Sequence, residues 1–122
     1  MTAPVTIYVC TTCRRAEDPA EAPRAGARLH AAVAEAANDA TDVAVVGVEC
    51  LSVCKRPVTI GFTAAGKWTY VYGDFVPETA AEGILAAARQ YAVAPEGLIP
   101  WRERPDSLKK GVVARIPPIK PV

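Results

Sequence analysis

Four cysteines are the residues of this chain whose type and spacing could do chemistry: Cys10 and Cys13 in YVCTTCRR, and Cys50 and Cys54 in GVECLSVCKRPV. Two residues separate the first pair, three separate the second, and 36 lie between the pairs. A thiolate is both a nucleophile and a soft metal ligand, so each pair reads as half of one metal site. Four thiolates can close a tetrahedral zinc site, or hold a 2Fe-2S cluster with two cysteines on each iron. A third chemistry is dithiol exchange through Cys10 and Cys13 alone, because C-x-x-C at a strand-to-helix junction gains a lowered thiol pKa from the helix N-terminus. Pro57 precedes a strand, as the active-site proline of a dithiol-exchange protein does, but this reading leaves Cys50 and Cys54 without a role.

The bulk composition bounds these choices. With 122 residues, 51% hydrophobic and 22% charged, the chain can bury a core of its own and is too short for two comfortable domains. Its net charge of +1 argues against a nucleic-acid or membrane-surface partner. The opening MTAPVTIYVC lacks both a basic segment and a long apolar run, and no later stretch is apolar enough to span a bilayer, so the expectation is a cytoplasmic protein. A reducing compartment disfavours structural disulfides and leaves metal binding or redox chemistry for the thiols.

The elements that must position the cysteines can be read in order. VTIYVC is a β-branched and aromatic run that predicts a first strand ending on Cys10. Residues 11 to 23 are polar and carry Pro19 and Pro23, which predicts a loop. From residue 24 to about residue 38 the chain is alanine-rich, with Leu29, Val33 and Ala36 or Ala37 on one side, the pattern of an amphipathic helix. Residues 42 to 49, DVAVVGVE, are almost continuously apolar and predict a strand buried on both faces, with Cys50 directly after it. Each cysteine pair therefore begins where a strand stops. A strand-helix-strand unit makes those strands parallel, with neighbouring carboxyl ends.

After Cys54, VTIGF and WTYVYGD with Gly66 between them read as an antiparallel hairpin. Residues 77 to 91 form a second helix, with Ala81, Ile84, Leu85, Ala88 and Tyr91 on one face. Trp68, Tyr70 and Tyr72 alternate along one strand face and are expected to pack in the core. The fold class is α/β, β-α-β-β-β-α with a mixed four-stranded sheet. Residues 1 to 92 make the domain; residues 93 to 122, with six of the 11 prolines, read as an irregular tail about three charges positive. Leu98, Ile99, Trp101, Val112, Val113, Ile116 and Ile119 are too apolar for a free linker, so the tail is expected to pack on the domain or on a partner subunit.

Arg14, Arg15, Lys55 and Arg56 directly follow the cysteine pairs. An oxidised 2Fe-2S centre on four thiolates carries a formal charge of about −2, which these cations would offset, or they would dock an acidic redox partner. His30, the single histidine, is expected at a surface or boundary. Asp74 is expected to cap the second helix. Glu49 and Asp74 would make a catalytic pair only if a cleft joined them, and no phosphate loop or Ser-His-Asp set is present. A zinc site would add little to a chain that has its own core, whereas a cluster at a sheet edge has an electron-transfer use.

The layout of these elements, with C-x3-C leading into a proline and a strand in CLSVCKRPVTIGF, resembles the thioredoxin-like 2Fe-2S ferredoxins, although Cys10 and Cys13 are closer together than their counterparts there. YVCTTCRR, GVECLSVCKRPVTIGF, WTYVYGDF and GLIPWRERPDSLKKGVVARIPP together resemble an uncharacterised bacterial family of predicted metal-binding proteins. The resemblance implies that Cys10, Cys13, Cys50 and Cys54 are the ligands and that the tail belongs with the rest. It also implies a thioredoxin-like fold, a one-electron carrier that is not itself an enzyme, a homodimer, and a place beside cobalt-uptake or cobalamin-related steps. Zinc on the same four cysteines, in a structural, interaction or metal-delivery role, stands as the alternative.

Overall fold

The computed structural model describes residues 5–16, 18, 19, 21–38, 40–53, 55–109 and 111–119. Strand β1 (Val5–Cys10) runs parallel to β2 (Val43–Val48), with Val5 opposite Val43 and Cys10 opposite Val48. On its other side β1 pairs antiparallel with β3 (Ile60–Thr63), which pairs with β4 (Thr69–Tyr72) through a turn at Gly66. A fifth strand, β5 (Val112–Ile116), pairs antiparallel with β4, giving the sheet order β2-β1-β3-β4-β5. The crossover from β1 to β2 is the helix α1 (Ala25–Ala37), and α2 (Ala81–Val93) follows β4. A short helix α3 (Asp106–Lys109) and a 3-10 turn (Trp101–Glu103) lie between α2 and β5.

Helices α1 and α2 pack against each other and both touch β1, so they cover one face of the sheet. Alanine, the best helix former, dominates α1, and Ala25, Leu29, Val33 and Ala37 recur every fourth residue as its buried stripe. The helix stops at Asn38, whose φ of 49° ends the regular backbone. Across the sheet the stripe meets Ile7, Val9 and Ile60, all fully buried. Burying each such side chain contributes about 1.5–3 kcal/mol. Under α2, Phe62, Tyr70, Tyr72 and Tyr91 form one aromatic cluster with ring centroids 5.5 to 6.2 Å apart. Tyr70 and Tyr72 thus take the core side of β4 as alternation predicts, with Trp68 half-buried beside them.

Four sequence expectations need correction. The sheet has five strands, because VVARI in the final segment finds the open edge of β4, so residues beyond 92 are not uniformly irregular. Ile99 and Leu108 enter the core, while Trp101 and Ile119 stay exposed. Strand β2 is not buried on both faces: it lies at the sheet's edge, and Val46 on the side away from the helices is 40% exposed. The second helix starts at Ala81, later than residue 77, after a turn in which the N–H groups of Thr79 and Ala80 both donate to Val76 O. Its cap is not Asp74; the last carbonyls of α2 are held instead at the other end, where Lys67 Nζ donates to Ala92 O at 2.9 Å and to Ala94 O.

Candidate metal centre

The end of β1 is stitched to the end of β2 by the two threonines inside the C-x-x-C turn. Thr11 donates to Val48 O through both its N–H, at 2.8 Å, and its hydroxyl, at 3.0 Å. The Thr12 hydroxyl donates to Glu49 O. The Cys10 thiol points to that same carbonyl, 3.7 Å away, and Glu49 is the residue immediately before Cys50. The parallel register thus brings Cys10 and the start of the second cysteine segment to the same end of the sheet, as the strand-helix-strand reading predicts.

Cys13 turns inward. Its carbonyl accepts the Gly26 N–H at 3.0 Å, and its thiol donates to Thr59 Oγ1 at 3.9 Å. Although α1 starts 12 positions after Cys13 in sequence, its first turn lies against the C-x-x-C turn. Only glycine fits at position 26, since a Cβ there would stand 1.9 Å from Cys10 O. The loop that brings the helix back is organised by Asp18, whose side chain is 3% exposed. Its carboxylate accepts the N–H groups of Arg15 and Ala25, each at 3.0 Å, and an Arg28 N–H at 3.2 Å. One carboxylate thereby caps α1 and pins the loop that follows Cys13.

Cys10 and Cys13 are both buried, with Cys50 exposed and its sulfur accepting the Ser52 N–H at 3.1 Å. Burial raises the Cys10 thiol, but hydrogen bonds from the Cys13 thiol, the Leu51 N–H and Thr12 outweigh it and hold Cys10 below its ordinary value. Cys13 is pushed up to about 11 by burial, reinforced by the neighbouring Cys10. The two sulfurs thus lie close enough to shift each other in opposite directions, and a metal ion binding them as thiolates would displace their protons. Cys54 lies outside the described residues. Among the described residues no three Cys, His, Asp or Glu side chains converge tightly enough to hold a metal ion. The donor chemistry fits a thiolate-binding metal: two sulfurs converge at the end of β1, and Cys50 follows the neighbouring strand end.

The flanking charges are less uniform than their sequence positions suggest. Arg14 and Lys55 are exposed, whereas Arg56 is committed to Asp74, with Nε and Nη2 both on Oδ2 at 2.9 and 2.7 Å. Asp74 therefore serves Arg56. His30 is half-buried, with its ring beside Gly47 on β2, consistent with a boundary residue. Sequence reasoning missed Thr12, Asp18, Gly26 and Thr59. Gly26 carried a signal: glycine costs about 1 kcal/mol against alanine inside a helix, so in an alanine-rich helix it marks a close approach. Thr12 and Thr59 meet partners distant in sequence, and Asp18 depends on how the loop around it folds back.

A thioredoxin-like α/β fold with a cysteine pair at the carboxyl end of its parallel strands defines the class of this protein. The chain matches, over residues 7–118, the family described as protein of unknown function (DUF1636), and it belongs to that family. Its fold is similar to that of a thioredoxin-like [2Fe-2S] ferredoxin from Aquifex aeolicus, with a TM-score of 0.59 and 15% identity over 92% of each chain. No protein of curated function matches the sequence. Among the described residues no helix is long and apolar enough to cross a membrane.

Proposed function

We propose that this protein is a small electron carrier that holds one 2Fe-2S cluster on Cys10, Cys13, Cys50 and Cys54 and passes one electron at a time, without being an enzyme itself. The observation that carries this reading is the parallel pairing of β1 and β2, which sets the C-x-x-C turn beside the segment leading into Cys50. The likeness in fold to a ferredoxin supports it. The family resemblance in the cysteine segments extends it to a donor for a cobalt or cobalamin-related reductive step. Exposed Arg14 and Lys55 flank the cysteines and suit an acidic redox partner. Like the ferredoxins it resembles, the carrier would work as a homodimer.

The same tight C-x-x-C turn also suits a zinc knuckle, so zinc is the competing occupant. Anaerobic purification followed by iron, sulfide and zinc analysis, a visible spectrum and an electron paramagnetic resonance spectrum after reduction separates the two. Two irons and two sulfides per chain with a bleachable visible band are expected. A colourless protein with one zinc would overturn the carrier reading, and a metal-free protein whose thiol-disulfide activity survives loss of Cys50 and Cys54 would favour dithiol exchange.

A further inference from the structure

Thr59 stands where β3 begins, fully buried, and contacts the first cysteine pair on one side and the carbonyls of Val53 and Arg56 on the other. Its carbonyl accepts the Cys10 N–H at 3.0 Å, which fixes the backbone of β1 as it reaches the first ligand. Its hydroxyl lies 3.9 Å from Cys13 Sγ and 3.4 Å from the carbonyls of both Val53 and Arg56, which bracket Cys54 in sequence. At 0% exposure no solvent reaches that hydroxyl.

A threonine hydroxyl has one proton to give and lone pairs to accept with. While Cys13 is a thiol, its one proton can go either to the Cys10 sulfur or to Thr59 Oγ1, and the threonine proton has the two carbonyls within reach. Both of those contacts are beyond the usual length of an O–H···O bond. A metal-bound Cys13 has no proton and carries negative charge, so it becomes the strongest acceptor that Thr59 can reach. The branched side chain sits on a strand-entry backbone held by the Cys10 N–H bond, and rotation about Cβ–Oγ1 aims its proton at the Cys13 sulfur 3.9 Å away.

We propose that Thr59 is a positioning residue of the metal centre: its hydroxyl donates to the Cys13 thiolate, stabilises charge on that sulfur, and so raises the reduction potential and slows metal release. The proposal rests on the reading of Cys13 as a ligand. A hydrogen bond to a ligand sulfur stabilises the more negative, reduced state of a centre more than the oxidised state.

The test compares wild type with Thr59→Val, Thr59→Ala and Thr59→Ser, all purified anaerobically, for metal content, midpoint potential and release of metal to a chromogenic chelator. Thr59→Val and Thr59→Ala are expected to keep the wild-type metal content, to shift the potential to more negative values and to release metal about tenfold faster. Thr59→Ser restores the donor and is expected to restore both values. The alanine variant removes the hydroxyl without placing a methyl group at its position, so it carries the test if the valine variant does not fold. Unchanged potential and unchanged release in a fully loaded variant lacking the hydroxyl would overturn the proposal. If the wild type holds zinc, the carrier reading fails while the chelator rate still decides the role of Thr59.

Discussion

The carbonyl oxygen of Cys10 lies 1.9 Å from the point where a Cβ on Gly26 would stand, and the N–H of Cys13 lies 3.0 Å from it. The crossover helix therefore rests directly on the backbone of the C-x-x-C turn. Gly26→Ala should destabilise the protein by about 2 kcal/mol or more, because overpacking against backbone costs more than the roughly 1 kcal/mol gained in helix propensity. Denaturant unfolding measures this, and a stabilised variant would show that α1 and the turn do not touch.

The aromatic cluster gives a contrast between hydroxyls. Tyr91 donates its O–H to Trp68 O, whereas the hydroxyls of Tyr70 and Tyr72 are buried with no partner among the described residues. Burial also pushes the Tyr72 phenol well above its ordinary range, so it stays protonated. Tyr91→Phe should cost about 1 kcal/mol, and Tyr72→Phe should be neutral or slightly stabilising, since it removes an unsatisfied polar group. Equal losses in the two variants, by thermal or chemical unfolding, would contradict this assignment.

Asp18 supplies a pH-dependent contribution. Its carboxyl is held below the usual range chiefly by the Arg15 N–H, with the Ala25 N–H and Arg28 adding to it against the opposing effect of burial. A depressed folded-state pKa means stability that is present above the unfolded value of about 4 and is lost as pH falls through the folded value. Asp18→Asn should therefore melt lower than wild type at pH 7, and the two melting curves should converge below about pH 4. A gap that stays constant from neutral to strongly acid pH would rule out the carboxylate as its source.

On the proposed ligand set, Cys13 would make metal uptake depend on pH. Its thiol is raised to about 11 by burial and by Cys10, so at neutral pH a metal must displace that proton. Apparent affinity for zinc or ferrous iron should rise about tenfold per pH unit between pH 7 and 10 from this proton alone. Competition with a chelator of known affinity measures the slope, and a flat profile would show that Cys13 is not a ligand.

Much of this architecture was legible in the sequence. VTIYVC and VAVVGV are apolar at strand length, and the four-residue spacing of Leu29 and Val33 marks α1, so the parallel pair and its crossover follow from local pattern and chain geometry. VVARI in the final segment gave no such signal: it is short, lacks alternation and lies among prolines, and its strand character comes from the edge of β4. The same cause hid the Arg56–Asp74 pair and the Thr59 and Asp18 contacts. Each joins residues that only the folded sheet and loops bring together. The exposure of Val46 was hidden because an apolar run does not say whether a second layer covers the strand.

The pairing of β1 with β2 has a consequence for the loop that the proposed metal centre would have to close. In an unfolded chain, joining the two cysteine pairs through a metal would close a loop of 36 residues, at an entropic cost of about 4 kcal/mol. The Thr11, Thr12 and Val48 contacts close that loop through protein hydrogen bonds alone. The sheet thus raises the effective concentration of one pair for the other, by roughly three orders of magnitude in affinity. A metal ion on the proposed ligands would accordingly favour the folded chain and, by binding it, would hold the chain folded.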